Sequence, residues 1–141
     1  MQLAYAFCAN HAESSPNGMF NVIGGGIVTL DAREMPAAYP AMSVVVRLIL
    51  SPDEQGVAHR LHFDLIGPDE SKHLQGDFPI GPVTNWPYPT MDCPYTFVIN
   101  TYNLLFPSSG EYEFRISVDG LPVGVTGFRV NVQAPQQEVR P

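Results

Sequence analysis

The stretch from Pro107 to Gly120, PSSGEYEFRISVDG, decides the fold class because it contains a turn, a strand and a hairpin turn in succession. From Tyr112 to Val118 every second residue is apolar, and this period of two places the apolar side chains on one face of a β-strand. Asp119-Gly120 is a dipeptide typical of tight hairpins, since both residues accept positive φ. The segment therefore predicts an antiparallel strand with one face in the core.

The same alternation recurs along the chain. Runs of strand length lie between clusters of Gly and Pro, and helical periodicity is nearly absent. The clearest pairings are two hairpins, 57–66 with 72–78 and 111–118 with 122–132. Because many short antiparallel strands bury their apolar faces only in two layers or a closed sheet, we predict an all-β antiparallel β-sandwich of about eight strands.

Length and composition indicate a single domain. The chain has 141 residues, of which 45% are hydrophobic, which suffices for one core and is too short for two ordinary domains. We assign residues 1–132 to the β-sandwich and expect residues 133–141 to form a flexible C-terminal tail.

The chain is acidic and sparsely charged. Seven basic residues stand against fourteen acidic ones, a net charge of -7, so we expect no nucleic-acid partner. Only 15% of the residues are charged, against about 25% in a typical soluble domain, which predicts a surface covered by a protein partner or a second copy. Without a secretory signal or a run of about 18 apolar residues, we expect no membrane association and a cytoplasmic location.

The segment Gly18–Gly25, GMFNVIGG, together with Arg47-Leu48 and the ending Pro107–Gly120, gives the chain a family resemblance. It resembles an uncharacterised family of small bacterial proteins with an immunoglobulin-like or jelly-roll-like β-sandwich. The resemblance covers most of the chain and implies that fold. It brings no assigned activity, so no site residue follows from it.

Two features near the N-terminus concern packing. In the first strand, about 2–9, alternation places Leu3, Tyr5 and Phe7 on one face and only small residues on the other, which we expect to suit close packing or a paired surface. Gly24-Gly25-Gly26 interrupts the next strand. Three glycines in a strand mark a bulge, a sharp bend or a close approach of another backbone, and we favour a backbone bulge. A phosphate-binding loop is less favoured, because no helix and no Lys or Ser follows.

The connection 79–94 is the strongest binding candidate in the sequence. It contains five prolines together with Trp86 and Tyr88, and Tyr95 follows it directly. Prolines reduce the entropy lost on binding, and Trp and Tyr often dominate interface energies. The alternative is an aromatic cap over one end of the sandwich.

Arg47 is the one charged residue in the apolar run Ser43–Leu50, which has the composition of a strand buried on both faces. A buried arginine needs a partner, and Asp64 and Glu113 are the candidates. A structural ion pair is the favoured interpretation. An interface anchor is the other.

The histidines do not indicate a metal site. His59 and His62 are three residues apart and lie on opposite faces of a strand, so they cannot share an ion. His62 and Asp64 share a face that His73 or Asp77 of a neighbouring strand would complete, but a solvated polar face explains this pattern equally well. We therefore predict no metal.

No residue pattern indicates catalysis. Cys8 and Cys93 lie in no motif that activates a thiol, and we expect reduced, partly buried thiols rather than a disulfide. No nucleophile elbow and no cofactor-binding motif is present. We therefore predict no enzyme, no catalytic residue and no cofactor.

These observations favour a non-enzymatic interaction or assembly module. We expect it to bind another protein or itself through strand edges and the 79–94 loop, with Trp86, Tyr88, Tyr95 and Arg47 as interface candidates. The alternative is a small-ligand or carbohydrate-binding sandwich in which Trp86, Tyr88 and Tyr102 form stacking platforms.

Overall fold

A computed structural model describes residues 1–15 and 19–133. In this part of the chain nine strands and one short helix follow each other in the order β1 (Gln2–Ser14), β2 (Phe20–Gly25), β3 (Thr29–Ala32), β4 (Ala37–Leu50), α1 (Pro52–Gln55), β5 (His59–Ile66), β6 (Lys72–Ile80), β7 (Cys93–Phe106), β8 (Gly110–Val118) and β9 (Leu121–Val132). Within these residues no helix has the length and apolar composition that crossing a membrane requires.

The strands form two sheets that pack face to face. Sheet A has the order β2-β1-β4-β7, and sheet B has the order β3-β9-β8-β5-β6. All neighbours are antiparallel except β3 and β9, which run parallel. The predicted all-β sandwich is confirmed, and so are the two hairpins, which are β5–β6 and β8–β9.

The core lies between the sheets and is built from the alternating residues of both. The apolar residues of β8, from Tyr112 to Val118, are buried as their period of two predicts. Tyr112 packs against Phe106 and Phe128, at ring-centroid distances of 4.8 and 5.9 Å. Its hydroxyl donates a hydrogen bond of 2.7 Å to the main-chain oxygen of Ser108, which fixes the corner where the chain enters β8.

The predicted faces of β1 are wrong at its start. The register between β1 and β4 shifts between Leu3 and Tyr5, so Leu3 points inward and packs with Ala6 on the core. Tyr5 and Phe7 keep their common side and stack at 5.9 Å, outside the core cluster. Ala6 and Cys8 therefore face the core, Ala4 is exposed at the irregularity, and the aromatic side of β1 faces outward.

Gly24–Gly26 does not form the predicted bulge. Strand β2 ends at Gly25, and its pairing with β1 has no register shift. Gly24 has a φ of 62°, and a Cβ there would meet the side chain of Asn10. Beyond the strand, the amides of Gly26 and Ile27 both donate to the carbonyl of Cys8 at 2.9 Å. The glycines thus allow a bend and a close approach at the end of a strand.

The last described strand is held at its end by a main-chain hydrogen bond, and the division into a sandwich at 1–132 and a tail stays a prediction. Strand β9 ends at Val132, and the amide of Gln133 donates to the carbonyl of Ala32 at 2.6 Å. The predicted flexible tail at 133–141 otherwise lies outside the described residues.

Candidate interaction surface

Charge is distributed very unevenly between the two sheets. The strands of sheet A carry two residues of the Asp, Glu, Lys and Arg types, which are Glu13 and Arg47. The shorter strands of sheet B carry nine: Asp31, Arg60, Asp64, Lys72, Asp77, Glu111, Glu113, Arg115 and Arg129. Since a solvated outer face is usually polar, the near absence of charge marks sheet A as the unusual face of the sandwich.

The outer side of sheet A carries a row of apolar residues across three strands. Phe7, Val45 and Val98 lie opposite one another in β1, β4 and β7, and none of them belongs to the core cluster between the sheets. Val45 is nevertheless 0% exposed, whereas Phe7 and Val98 are half-buried. With Tyr5 and Arg47 these residues form what we call the apolar face.

Arg47 is at the centre of the apolar face, and its predicted ion pair is wrong. Its guanidinium lies 5.9 Å from the ring centroid of Tyr5, a cation–π geometry. Asp64 and Glu113 belong to sheet B, where they pair with Lys72 and Arg115. No ion pair of Arg47 occurs among residues 1–15 and 19–133. The only strong cation on this face therefore contacts an aromatic ring instead of a carboxylate.

Strand β7 forms a long open edge beside the apolar face. It pairs with β4 on one side, and no other described strand pairs with its second side. Its 14 residues, CPYTFVINTYNLLF, include no charged residue, and Tyr102 is 69% exposed. Natural edge strands are usually short, charged, or interrupted by proline.

The other three sheet edges carry such protection. Strands β2 and β3 have only six and four residues. Strand β6 is longer, with nine residues, but it contains Lys72, Asp77 and Pro79. Of the four described strands that end a sheet, β7 alone combines a long edge with an uncharged sequence, which makes it the sheet edge best suited to pairing with another chain.

The predicted loop is shorter than 79–94, because β6 extends to Ile80 and β7 begins at Cys93. Trp86 is half-buried against the core, and its Nε1–H donates to the carbonyl of Met91 at 3.3 Å. The same carbonyl accepts a hydrogen bond of 2.7 Å from the buried side chain of Gln55. These contacts are the ones that an aromatic cap anchored by Trp86 requires.

Tyr88 and Tyr95 differ in what they offer to a partner. Tyr88 packs edge-on to Trp86 at 5.3 Å and is more than half exposed, so it remains an interface candidate. Tyr95 lies within β7 opposite Leu48 and packs on the core, so it is not part of the loop surface. Of the four predicted interface residues, Arg47 and Tyr88 therefore lie on the outside.

The polar side chains of β5 form ion pairs with their neighbours. His62 contacts Asp77 through Nδ1 at 2.9 Å and Asp64 through Nε2 at 3.0 Å. The contact with Asp77, and to a smaller extent the contact with Asp64, raises the pKa of His62 above its usual value. With both ring nitrogens turned to carboxylates, the imidazole has no free lone pair for a metal ion, and no cluster of three potential ligands occurs in the described part of the chain.

His59 connects three parts of the fold. Its Nδ1 lies 2.6 Å from a carboxylate oxygen of Asp119 in the β8–β9 turn, and its Nε2 lies 2.7 Å from the carbonyl of Glu54 in α1. Both partners accept hydrogen bonds, so the ring carries two protons. The hydrogen bond to Asp119 raises the pKa of His59 and lowers that of Asp119.

The cysteines and the groove on sheet B do not offer a reactive or stacking site. Cys8 and Cys93 are free and buried, and burial raises the pKa of Cys8 to about 12, so its thiol is a packing group rather than a nucleophile. On sheet B, an open groove of about 750 Å³ is lined in part by Glu70, Glu113 and Arg115, which pair with one another. The aromatic residues predicted to stack a carbohydrate do not line it.

Sequence reasoning did not find the apolar face. Phe7 and Val45 were visible as apolar residues, but their outward direction depends on the register of β1 and on which strands pair. The one available signal was the absence of charge in 93–106, and its meaning depends on β7 lying at an edge.

A comparison with family models identifies the family of this chain. Residues 4–131 match the model of a family of unknown function, DUF6941. The chain belongs to this family. The DUF6941 match spans the sandwich from β1 to β9, and the predicted membership in an uncharacterised family with no assigned activity is confirmed. No curated protein and no solved structure matches the chain.

Proposed function

We propose that this DUF6941 chain is a non-enzymatic interaction module that binds another polypeptide, or a copy of itself, through sheet A. The free edge of β7 supplies main-chain hydrogen bonds, and the apolar face supplies side-chain contacts. The connection between β6 and β7, which carries Tyr88, leads directly into this strand. The proposal therefore keeps the predicted use of strand edges and the loop, and it adds the apolar face.

The observation that carries the proposal is the uncharged open edge of β7. A strand edge presents alternate N–H and C=O groups that satisfy themselves with water or with another strand. Addition of an extended segment to such an edge is a common mode of peptide recognition, in which the main chain gives affinity and side-chain contacts give specificity. Edges that do not bind are usually blunted by charge, proline or shortness, and β7 has little of this protection beyond Pro94.

We also infer an immunoglobulin-like arrangement of the strands. In such sandwiches a tyrosine near the start of the penultimate strand bonds back to the main chain a few residues upstream, as Tyr112 does with Ser108. The hairpin β8–β9 lies in one sheet with β5, and β1, β4 and β7 form the other, which fits this strand order. Two buried, free cysteines support a reducing compartment, so we place the module in the cytoplasm.

Site-specific photocrosslinking in the cells that produce this protein tests the proposal. A benzophenone amino acid replaces Tyr102 on β7 in one variant and Val125 on the outer side of β9 in another, two apolar positions that are 69% and 56% exposed. We expect adducts of discrete mass from position 102 and none from position 125. Introducing Val98→Lys into the first variant should reduce those adducts. Equal crosslinking from both positions, or none from position 102, would contradict the proposal.

A further inference from the structure

We propose that the segment that occupies the β7 edge is β7 of a second copy of this chain. The two strands run antiparallel about a twofold axis, so that two four-stranded sheets A join into one sheet of eight strands. This inference rests on the proposed function and adds the identity of the partner and the geometry of the contact.

Charge is the first argument for a second copy. Twofold pairing brings each residue of a strand opposite a residue of the same strand, so any charged side chain near the axis meets its own kind. Like charges opposite each other destabilise a strand pair. In β7 no charge of either sign is present, while the acidic residues that give the chain its net charge of -7 lie elsewhere. The edge is thus the place where two such acidic molecules approach with least repulsion.

Continuity of the apolar face is the second argument. Val98 lies at the end of the row that begins with Phe7 and continues through Val45. Pairing two β7 strands places the two rows side by side across the new seam. Val98, which is half-buried in one molecule, is then covered by its counterpart, which adds side-chain contact to the main-chain hydrogen bonds.

The regular part of β7 limits the register. Pro94 lacks an N–H at one end, and Asn103 has a φ of 54° at the other. Between them the eight residues from Tyr95 to Tyr102 keep one register with β4 and span about 27 Å at about 3.4 Å per residue. Residues of one face meet residues of the same face only when the axis passes through a residue. The largest overlap that meets this condition, seven of the eight residues, centres the pair on Val98 or Ile99.

The proline also indicates which main-chain groups face the open edge. A proline within a sheet occurs where its missing N–H would point away from the neighbouring strand. Counting in twos from Pro94, the N–H groups of Thr96 and Val98 then point outward, whereas that of Phe97 points toward β4. A proline at position 96 therefore removes a hydrogen bond only from the proposed dimer, and one at position 97 removes it from the sandwich itself.

The first experiment uses charge at the centre of the seam. Protein interfaces of ordinary size have micromolar affinity at the weak end of their range. At micromolar concentration we therefore expect sedimentation velocity and light scattering to give wild-type protein a mass of twice 15.5 kDa. Val98→Lys and Val98→Glu should each raise the dimer dissociation constant about tenfold or more, because like charges meet at the axis. Mixing the two variants should restore the dimer. Val125→Lys on sheet B is the matched control and should leave the mass unchanged.

The second experiment guards against a loss of folding in the charged variants. Thr96→Pro should keep the wild-type circular dichroism spectrum and melt cooperatively, yet sediment as a monomer. Phe97→Pro should instead lower the melting temperature. A Thr96→Pro protein that is folded and still dimeric would overturn the β7 seam, as would a wild-type dimer that both Val98 variants leave intact.

Failure of this inference differs from failure of the proposed function. A wild-type monomer that still gives discrete adducts from position 102, with a mass different from that of two chains, refutes the second copy and leaves the interaction module standing. A wild-type monomer without adducts refutes both.

Discussion

His59 offers the sharpest test of the energetics of this sandwich, through the substitution His59→Gln. The side chain is 9% exposed, and its doubly protonated ring connects the Asp119 carboxylate with the Glu54 carbonyl. Charge-assisted hydrogen bonds contribute about 1.5–3 kcal/mol when buried. Because Asp119 is half exposed, solvent weakens its share, and the two contacts together are worth about 1–2 kcal/mol.

The effect depends on pH in a definite direction. The pKa of His59 is raised above its usual value of 6.5, so the folded protein holds this proton more tightly than the unfolded chain. The stabilisation is fully present below about pH 6.5 and is lost as the pH rises through the pKa of the folded state. Asp119 has a lowered pKa, so its share is present above its usual value of 3.8 and is lost as the pH falls through its lower folded pKa.

Thermal and urea unfolding across about pH 5–9 measures the difference between wild type and His59→Gln. At about pH 6 we expect a loss of about 1–2 kcal/mol, or about 5 °C in melting temperature for a domain of this size. The difference should shrink as the pH increases. His11→Gln is the matched control, because His11 is exposed and lies 3.7 Å from the carboxylate of the exposed Glu13. A difference that stays constant over this pH range would refute the assignment of two protons to His59.

Three further expectations concern packing. Tyr112→Phe removes the hydrogen bond to Ser108 and should lower the free energy of unfolding by about 0.5–1.5 kcal/mol in urea; no change would contradict a role for this bond. Gly24→Ala, at a φ of 62° and against a neighbouring side chain, should lower the free energy of unfolding by at least about 1 kcal/mol. Gly56→Ala, in open space, should leave it unchanged or raise it slightly, and equal effects of the two substitutions would contradict this account. The Cys8 thiol, with a pKa of about 12, should react with a thiol reagent only after unfolding. Because Cys93 is also free, the labelled peptide is identified by mass, and rapid labelling at Cys8 in folded protein would disprove its burial.

The part of the fold that the sequence predicts is the part that depends on local pattern. The period of two in 111–118 and 57–66 identified the strands, and short connections fixed their partners, because neighbouring antiparallel strands joined by a tight turn have few alternatives. These hairpins provide the middle of sheet B. Their inward residues could therefore be predicted without knowing the rest of the topology.

The candidate surface depends on information that local pattern does not contain. The one-residue irregularity beside Ala4 changes which side of β1 Leu3 occupies, and such a shift leaves no mark in the alternation. The partner of Arg47 was predicted wrongly because Asp64 and Glu113 lie in the other sheet, and sheet membership follows from pairings distant in sequence. The uncharged composition of 93–106 was visible from the start. Only the strand order of sheet A shows that this segment forms an open edge.

The parallel pairing of β3 with β9 has a consequence for how the molecule is made. Thr29 lies opposite Arg129, so β3 can pair with β9 only after the ribosome has translated 100 further residues. At about 5–20 residues per second, the delay is about 5–20 s on the ribosome. Contacts between such distant segments also slow the search for the native topology, because a long loop must close before they form. Sheet B is therefore completed last. Until then the nascent chain exposes the apolar inner side of sheet A for several seconds, and this is the period in which we expect chaperones to bind it.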